Sequence, residues 1–67
     1  MEVKFNGKAL FLDEQLCVQE LIKRVAPDLD GKVAVAINKE VIPKSSWQSH
    51  KITEGDVIEI VTIAQGG

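Results

Sequence analysis

The chain has 67 residues, 45% of them hydrophobic, and a formal net charge of −2. A single domain of this size buries only about 60% of its unfolded surface, so its core is thin and a deep catalytic cavity would consume much of it. A carrier or binding module is therefore favoured over an enzyme, and the near-balanced charge argues against a nucleic-acid partner, which calls for a basic patch.

The longest uninterrupted apolar stretches, Ala9 to Leu12 and Val33 to Ile37, are far too short to span a bilayer, and no apolar leader follows the first basic residues. A cytoplasmic protein with no membrane partner is the expectation. Cys17 is the one cysteine and has no internal disulfide partner, which fits a reducing compartment.

The first two predicted elements are strands, Val3 to Phe5 and Ala9 to Leu12. They are joined by Asn6-Gly7, a dipeptide that accepts positive φ at both positions and so favours a tight hairpin. Val3 and Phe5 share one face. The second strand is apolar on both faces near the turn.

From Val18 the period changes. Val18, Leu21, Ile22 and Val25 stand at i, i+3, i+4 and i+7, the spacing of one buried helix face, while Gln19, Glu20, Lys23 and Arg24 occupy the other. Glu20 precedes Lys23 and Arg24 by three and four residues, a favourable orientation for ion pairs. Pro27 disfavours helix in the residue before it, so the helix should end near Val25 or Ala26.

Cys17 occupies the N-cap position, with Glu20 where a capping-box glutamate belongs, although a thiol is a weak cap. Two readings of Cys17 stand here: a nucleophilic or redox thiol, or a partly buried residue at the helix start, since free cysteine behaves as a small hydrophobe.

A polar turn, Asp28 to Gly31, leads into a strand, Val33 to Ile37, that is apolar on both faces. The large residues Val33, Val35 and Ile37 are assigned to the helix-facing core and Ala34 and Ala36 to the outer face; a register slip of one residue would invert this. Asn38-Lys39 makes a second tight turn into a short strand, Glu40 to Ile42, which Pro43 ends.

Lys44 to Lys51 reads as a loop with a short helical turn. Its Trp47 suits either a ligand-stacking role or closure of one end of the core. His50 has no His, Cys or carboxylate at metal-ligand spacing, and Cys17 with one histidine is a weak basis for catalysis. No metal and no bound cofactor are expected.

Thr53 to Asp56 forms the turn into the last strand, with Gly55 supplying the unusual backbone angle. Ile58 and Ile60 then face the helix, and Val57, Glu59, Val61 and Ile63 face away. The chain runs out through Ala64-Gln65-Gly66-Gly67 with no linker after the strand. At an ordinary glycine usage of roughly 7%, two final glycines arise by chance about once in two hundred chains. Mounted on a strand, they form a thin tail ending in a carboxylate.

The order strand, strand, helix, strand, short strand, strand describes an α+β chain. The arrangement it fits is a β-grasp (ubiquitin-like) mixed sheet of four or five strands with one helix across one face. The expectation is a single domain over residues 1–67 with a flexible tail at 64–67.

Over nearly its whole length the chain resembles the ThiS family, the sulfur carriers of thiamine biosynthesis. The resemblance is carried by the Asn6-Gly7 hairpin, Val18-Gln19-Glu20-Leu21, Ala36-Ile37-Asn38 leading into Val41-Ile42-Pro43-Lys44, Trp47, Glu54-Gly55-Asp56 and Gln65-Gly66-Gly67. The chain departs from the pattern at Cys17, where threonine or serine is expected, and at Lys44, where arginine is common.

The resemblance implies a protein co-substrate rather than an enzyme. A ThiF-like adenylyltransferase would use ATP to activate the Gly67 carboxylate, a persulfide sulfur donor would convert it to a thiocarboxylate, and a ThiG-like thiazole synthase would accept the sulfur. Gln65, Gly66 and Gly67 would form the functional tail. Strand alternation makes Val61, Ile63, Ala34 and Ala36 the expected docking face. A molybdopterin-synthase-type carrier is the alternative within the class; a β-grasp module binding a small ligand or RNA is the alternative outside it.

Overall fold

The computed structural model describes residues 1–29 and 32–62. Strands β1 (Glu2–Phe5) and β2 (Lys8–Phe11) precede helix α1 (Val18–Val25), and β3 (Val33–Ile37), β4 (Glu40–Ile42) and β5 (Val57–Thr62) follow it. Short 3-10 turns lie at Pro27–Leu29 and Lys44–Ser46. The sheet order is β2-β1-β5-β3-β4, so the first and last strands meet in its middle and pair in parallel, while the remaining pairs are antiparallel. With α1 across one face, this is the β-grasp arrangement expected from the order of elements.

Both hairpin turns arise where the sequence tolerates left-handed backbone. Asn6 and Gly7 have φ of 49° and 85°, and Asn38 and Lys39 have φ of 53° and 70°. Positive φ at both central positions matches the turn's twist to that of the flanking strands. Asn6 also reaches across the sheet, where its side-chain oxygen accepts the Ile60 amide at 2.8 Å. The turn that starts the sheet thus helps hold the strand that ends it.

The core lies between α1 and the inner sheet face. Val18, Leu21 and Ile22 from the helix meet Val3, Val33, Val35, Ile37 and Ile58 from the strands, with Ile60 and Val25 half-buried at the margin. Val33, Val35 and Ile37 do face inward and Ala34 and Ala36 outward, so the register expected from the sequence is the observed one. Trp47 is 1% exposed and donates its indole N–H to the Ile42 carbonyl at 3.0 Å. It closes the core at the loop that follows β4, which settles the choice left open above in favour of packing.

Asp56, at 8% exposure, is the buried charged residue among the described ones. Its carboxylate accepts hydrogen bonds from the Thr53 amide at 2.8 Å, the Thr53 hydroxyl at 3.0 Å and the Asn38 side-chain amide at 3.2 Å. The Asn38 oxygen in turn accepts the Val57 amide at 3.0 Å. This network ties the β3–β4 turn to the entry of β5. Asp56→Ala orphans these donors and is expected to lower stability by about 2–3 kcal/mol in chemical denaturation; a change within experimental error would show that water replaces the carboxylate without loss.

The helix start explains how a cysteine serves as N-cap. The Val18 amide donates to the His50 carbonyl at 3.0 Å and the Gln19 amide to the Trp47 carbonyl at 3.1 Å, so the loop satisfies two of the four orphan donors of the first turn. Glu20 accepts the Cys17 amide at 2.9 Å, completing the strong arm of a capping box. That bond, more than any other influence, holds the Glu20 carboxyl below its usual pKa. The thiol supplies the weaker arm of the box, facing the Glu20 backbone N–H.

The expected contacts from Glu20 to Lys23 and Arg24 are not the ones formed. Glu20 turns back to cap the helix, and Arg24 pairs instead with Glu14 at 3.3 Å across exposed surface, where such a pair adds at most about 1 kcal/mol.

Candidate functional site

Residues Ile63, Ala64, Gln65, Gly66 and Gly67 lie outside the described residues, so the structure defines the site by its mount. Strand β5 is gripped on both sides: Phe5 pairs with Ile58 from β1, and Val33 to Ile37 pair with Thr62 to Ile58 from β3. Ile58 is fully buried, which fixes the strand's rotation. The last described residue, Thr62, is thus held opposite Val33, and the five residues after it can reach at most about 17 Å.

The face of the sheet away from α1 carries Ala34 and Ala36 from β3, Val41 from β4, and Val57, Glu59 and Val61 from β5. Ala36 stands opposite both Val41 and Glu59, and Ala34 opposite Val61. Between these strands is an open groove of about 230 Å³ lined by Ala34, Val35, Ala36, Val41, Glu59 and Val61. The small alanines of its floor leave the space open. Val41 and Val61 form its walls, at 70% and 62% exposure.

Of the docking residues expected from the sequence, Val61, Ala34 and Ala36 come together here. Ile63 falls outside the described residues. Val41 joins the patch unforeseen; the signal was present in the tight Asn38-Lys39 turn, which fixes Ala36 opposite Val41 and puts both side chains on one face. Phe11, 74% exposed on edge strand β2, was likewise not anticipated as a surface residue.

A second hollow of about 310 Å³, lined by Glu2, Val3, Lys4, Glu54, Gly55 and Val57, sits at the start of β5, the end away from the tail.

Cys17 is buried and has a structural part at the helix start. Its replacement by serine or threonine is expected to stabilise the protein by up to about 1 kcal/mol, because a hydroxyl caps better than a thiol, and to leave function unchanged. Thermal denaturation with an activity assay checks both; loss of function in a stable variant would instead assign the thiol a functional role. Among the described residues, no group of three or more His, Cys, Asp or Glu could hold a metal ion, and no helix is long and apolar enough to cross a membrane.

Comparison with known proteins agrees with this architecture along the whole chain. The model of the ThiS family matches residues 2–67. The sulfur carrier protein ThiS of Escherichia coli strain K12 is 30% identical over 67 residues, covering all of both chains. The thiazole synthase of Paramagnetospirillum magneticum is 34% identical over 67 residues, a match that takes in all of this chain but only 20% of that protein. The crystal structure of the thiamine biosynthesis protein ThiS from Geobacter metallireducens superposes with a TM-score of 0.88 at 29% identity, covering both chains completely. The chain belongs to the ThiS family.

Proposed function

We propose that this protein is a sulfur carrier for the thiazole moiety of thiamine, with Gly67 as its sulfur-bearing residue. The observation that carries this reading is family membership along the full chain, whose sequence ends in Gln65-Gly66-Gly67 five residues after β5. The protein acts as a recycled co-substrate. Its own contribution is a rigid strand, a tail without bulk, and a face by which partners recognise it.

The chemistry follows from the inertness of a carboxylate toward nucleophiles. In the ThiF-like adenylyltransferase, a Gly67 carboxylate oxygen attacks the α-phosphorus of ATP, pyrophosphate leaves, and an acyl-adenylate results. The terminal sulfur of a persulfide then attacks the carbonyl carbon and AMP departs. A thiol cleaves the resulting acyl disulfide by exchange, leaving the thiocarboxylate and a new disulfide. Gly66 and Gly67 suit both attacks, because a tail without Cβ atoms fits a narrow channel and leaves the carbonyl open.

A ThiG-like thiazole synthase is the acceptor in this scheme. Support comes from the thiazole synthase relative, in which a segment similar to this entire chain lies in the same polypeptide as that enzyme. Docking uses the outer face formed by Ala34, Ala36 and Val61, beside the end of β5, with Ile63 expected to extend it. The test is a reconstituted reaction in which the thiocarboxylated protein is offered separately to thiazole synthase and to the large subunit of molybdopterin synthase. Sulfur transfer to the first is expected. Transfer to the second alone would move the protein to the other carrier branch.

A further inference from the structure

We infer that Glu59 is a specificity-determining contact: it receives a cationic side chain, best an arginine, from the adenylating partner when that enzyme covers the outer sheet face. The inference rests on the sulfur-carrier reading above and adds the chemical character of the partner's surface.

Glu59 is exposed near the middle of β5, with Val57 and Val61 two residues to either side on the same face. Across the sheet it stands opposite Ala36, and Val41 lies beyond on β4. It lines the groove among alanine and valine and, among the described residues, its carboxylate has neither a hydrogen bond nor an ion pair. Lys4, a cation on the same face, is opposite Val57 and makes no ion pair with it. A solvated carboxylate in that position is harmless in the free protein.

Covering the groove changes this. Five residues follow Thr62 and can span at most about 17 Å, so the enzyme that activates Gly67 must place its catalytic centre within that distance of the end of β5. Helix α1 occupies the inner face of the sheet, which leaves the apolar outer face beside Val61 as the surface to be covered. An apolar enzyme surface there would strip water from Glu59 and leave an unpaired buried charge, a strongly unfavourable state. A planar guanidinium meets the need, since it binds a carboxylate through two hydrogen bonds while its stem packs on Val41 and Val61. The pair also discriminates, because a wrong partner without the cation pays the full desolvation of the carboxylate.

The experiment is steady-state loading of the full chain by its host's adenylyltransferase with ATP and a sulfur donor, followed by intact mass. Wild type, Glu59→Gln and Glu59→Lys are compared at low and high salt. Glu59→Gln is expected to raise the KM for the carrier about 30-fold or more and to weaken its salt dependence, Glu59→Lys to raise it further, with the effect in KM rather than in the maximal rate. Both substitutions are at an exposed position, and unchanged thermal melting confirms the fold.

Wild-type KM and salt dependence in Glu59→Gln would overturn the inference while leaving the carrier reading intact. Normal loading of Glu59→Lys combined with failed delivery to thiazole synthase would also overturn it, placing the contact on the acceptor enzyme. A concentration-dependent dimer abolished by Ala36→Arg, with loading kinetics unaltered, would assign the groove to a second copy of the chain. A wild-type protein that gains no sulfur would remove the carrier reading and this inference together.

Discussion

Trp47→Ala is expected to leave the protein unfolded or close to it at room temperature. Burial of the indole is complete, with the ring closing the core at the loop that follows β4 and its N–H meeting the Ile42 carbonyl at 3.0 Å. Removing a buried tryptophan side chain costs about 3–5 kcal/mol. A domain of 67 residues has a total stability of roughly 3–10 kcal/mol, so the loss is comparable to the whole.

A second effect adds to this. The Trp47 backbone carbonyl accepts the Gln19 amide, so disorder in the 47–50 loop also releases the start of α1. Trp47→Phe separates the two contributions: the ring and loop stay, the Ile42 carbonyl loses its donor, and the cost falls to about 1–3 kcal/mol. Circular dichroism during urea denaturation measures both variants. A loss of under about 1 kcal/mol in Trp47→Ala would mean that the core does not depend on this ring.

The second large effect is functional and leaves the fold alone. Gly67→Ala is expected to slow sulfur loading by roughly 100-fold, because a methyl group beside the carboxyl displaces the reacting carbon within the partner's channel by a distance comparable to a bond. Stability should stay within about 0.5 kcal/mol of wild type, since no core residue is changed. Intact mass against time gives the loading rate and thermal melting gives the stability. Loading at the wild-type rate would show that the channel tolerates a Cβ atom and that the second glycine serves another purpose.

The fold was legible because local and long-range signals agree. The Asn6-Gly7 and Asn38-Lys39 turns admit positive φ, and the heptad-like spacing of Val18, Leu21, Ile22 and Val25 fixes the helix. Alternation of large and small residues from Val33 to Ile37 carries enough volume contrast to set the register of β3. What escaped was set by partners distant in sequence. The acceptance of a thiol as N-cap depends on the carbonyls of Trp47 and His50, thirty residues away in outline and adjacent in space. Arg24 turned from Glu20 to Glu14 because Glu20 was already engaged by the Cys17 amide.

The site divides in the same way. Ala34, Ala36 and Val61 follow from strand alternation alone, whereas including Val41 and recognising the isolation of Glu59 require the pairing of β3 with both β4 and β5. Gln65, Gly66 and Gly67 lie outside the described residues; the sequence singles them out by composition and position, and under the proposed function a partner would complete their chemistry.

The carrier function stands or falls on the intact mass of the protein after incubation with its host's adenylyltransferase, ATP and a sulfur donor. A gain equal to one oxygen replaced by one sulfur, localised to Gly67, is expected. An unchanged mass, with an enzyme preparation active on a known carrier, would contradict it.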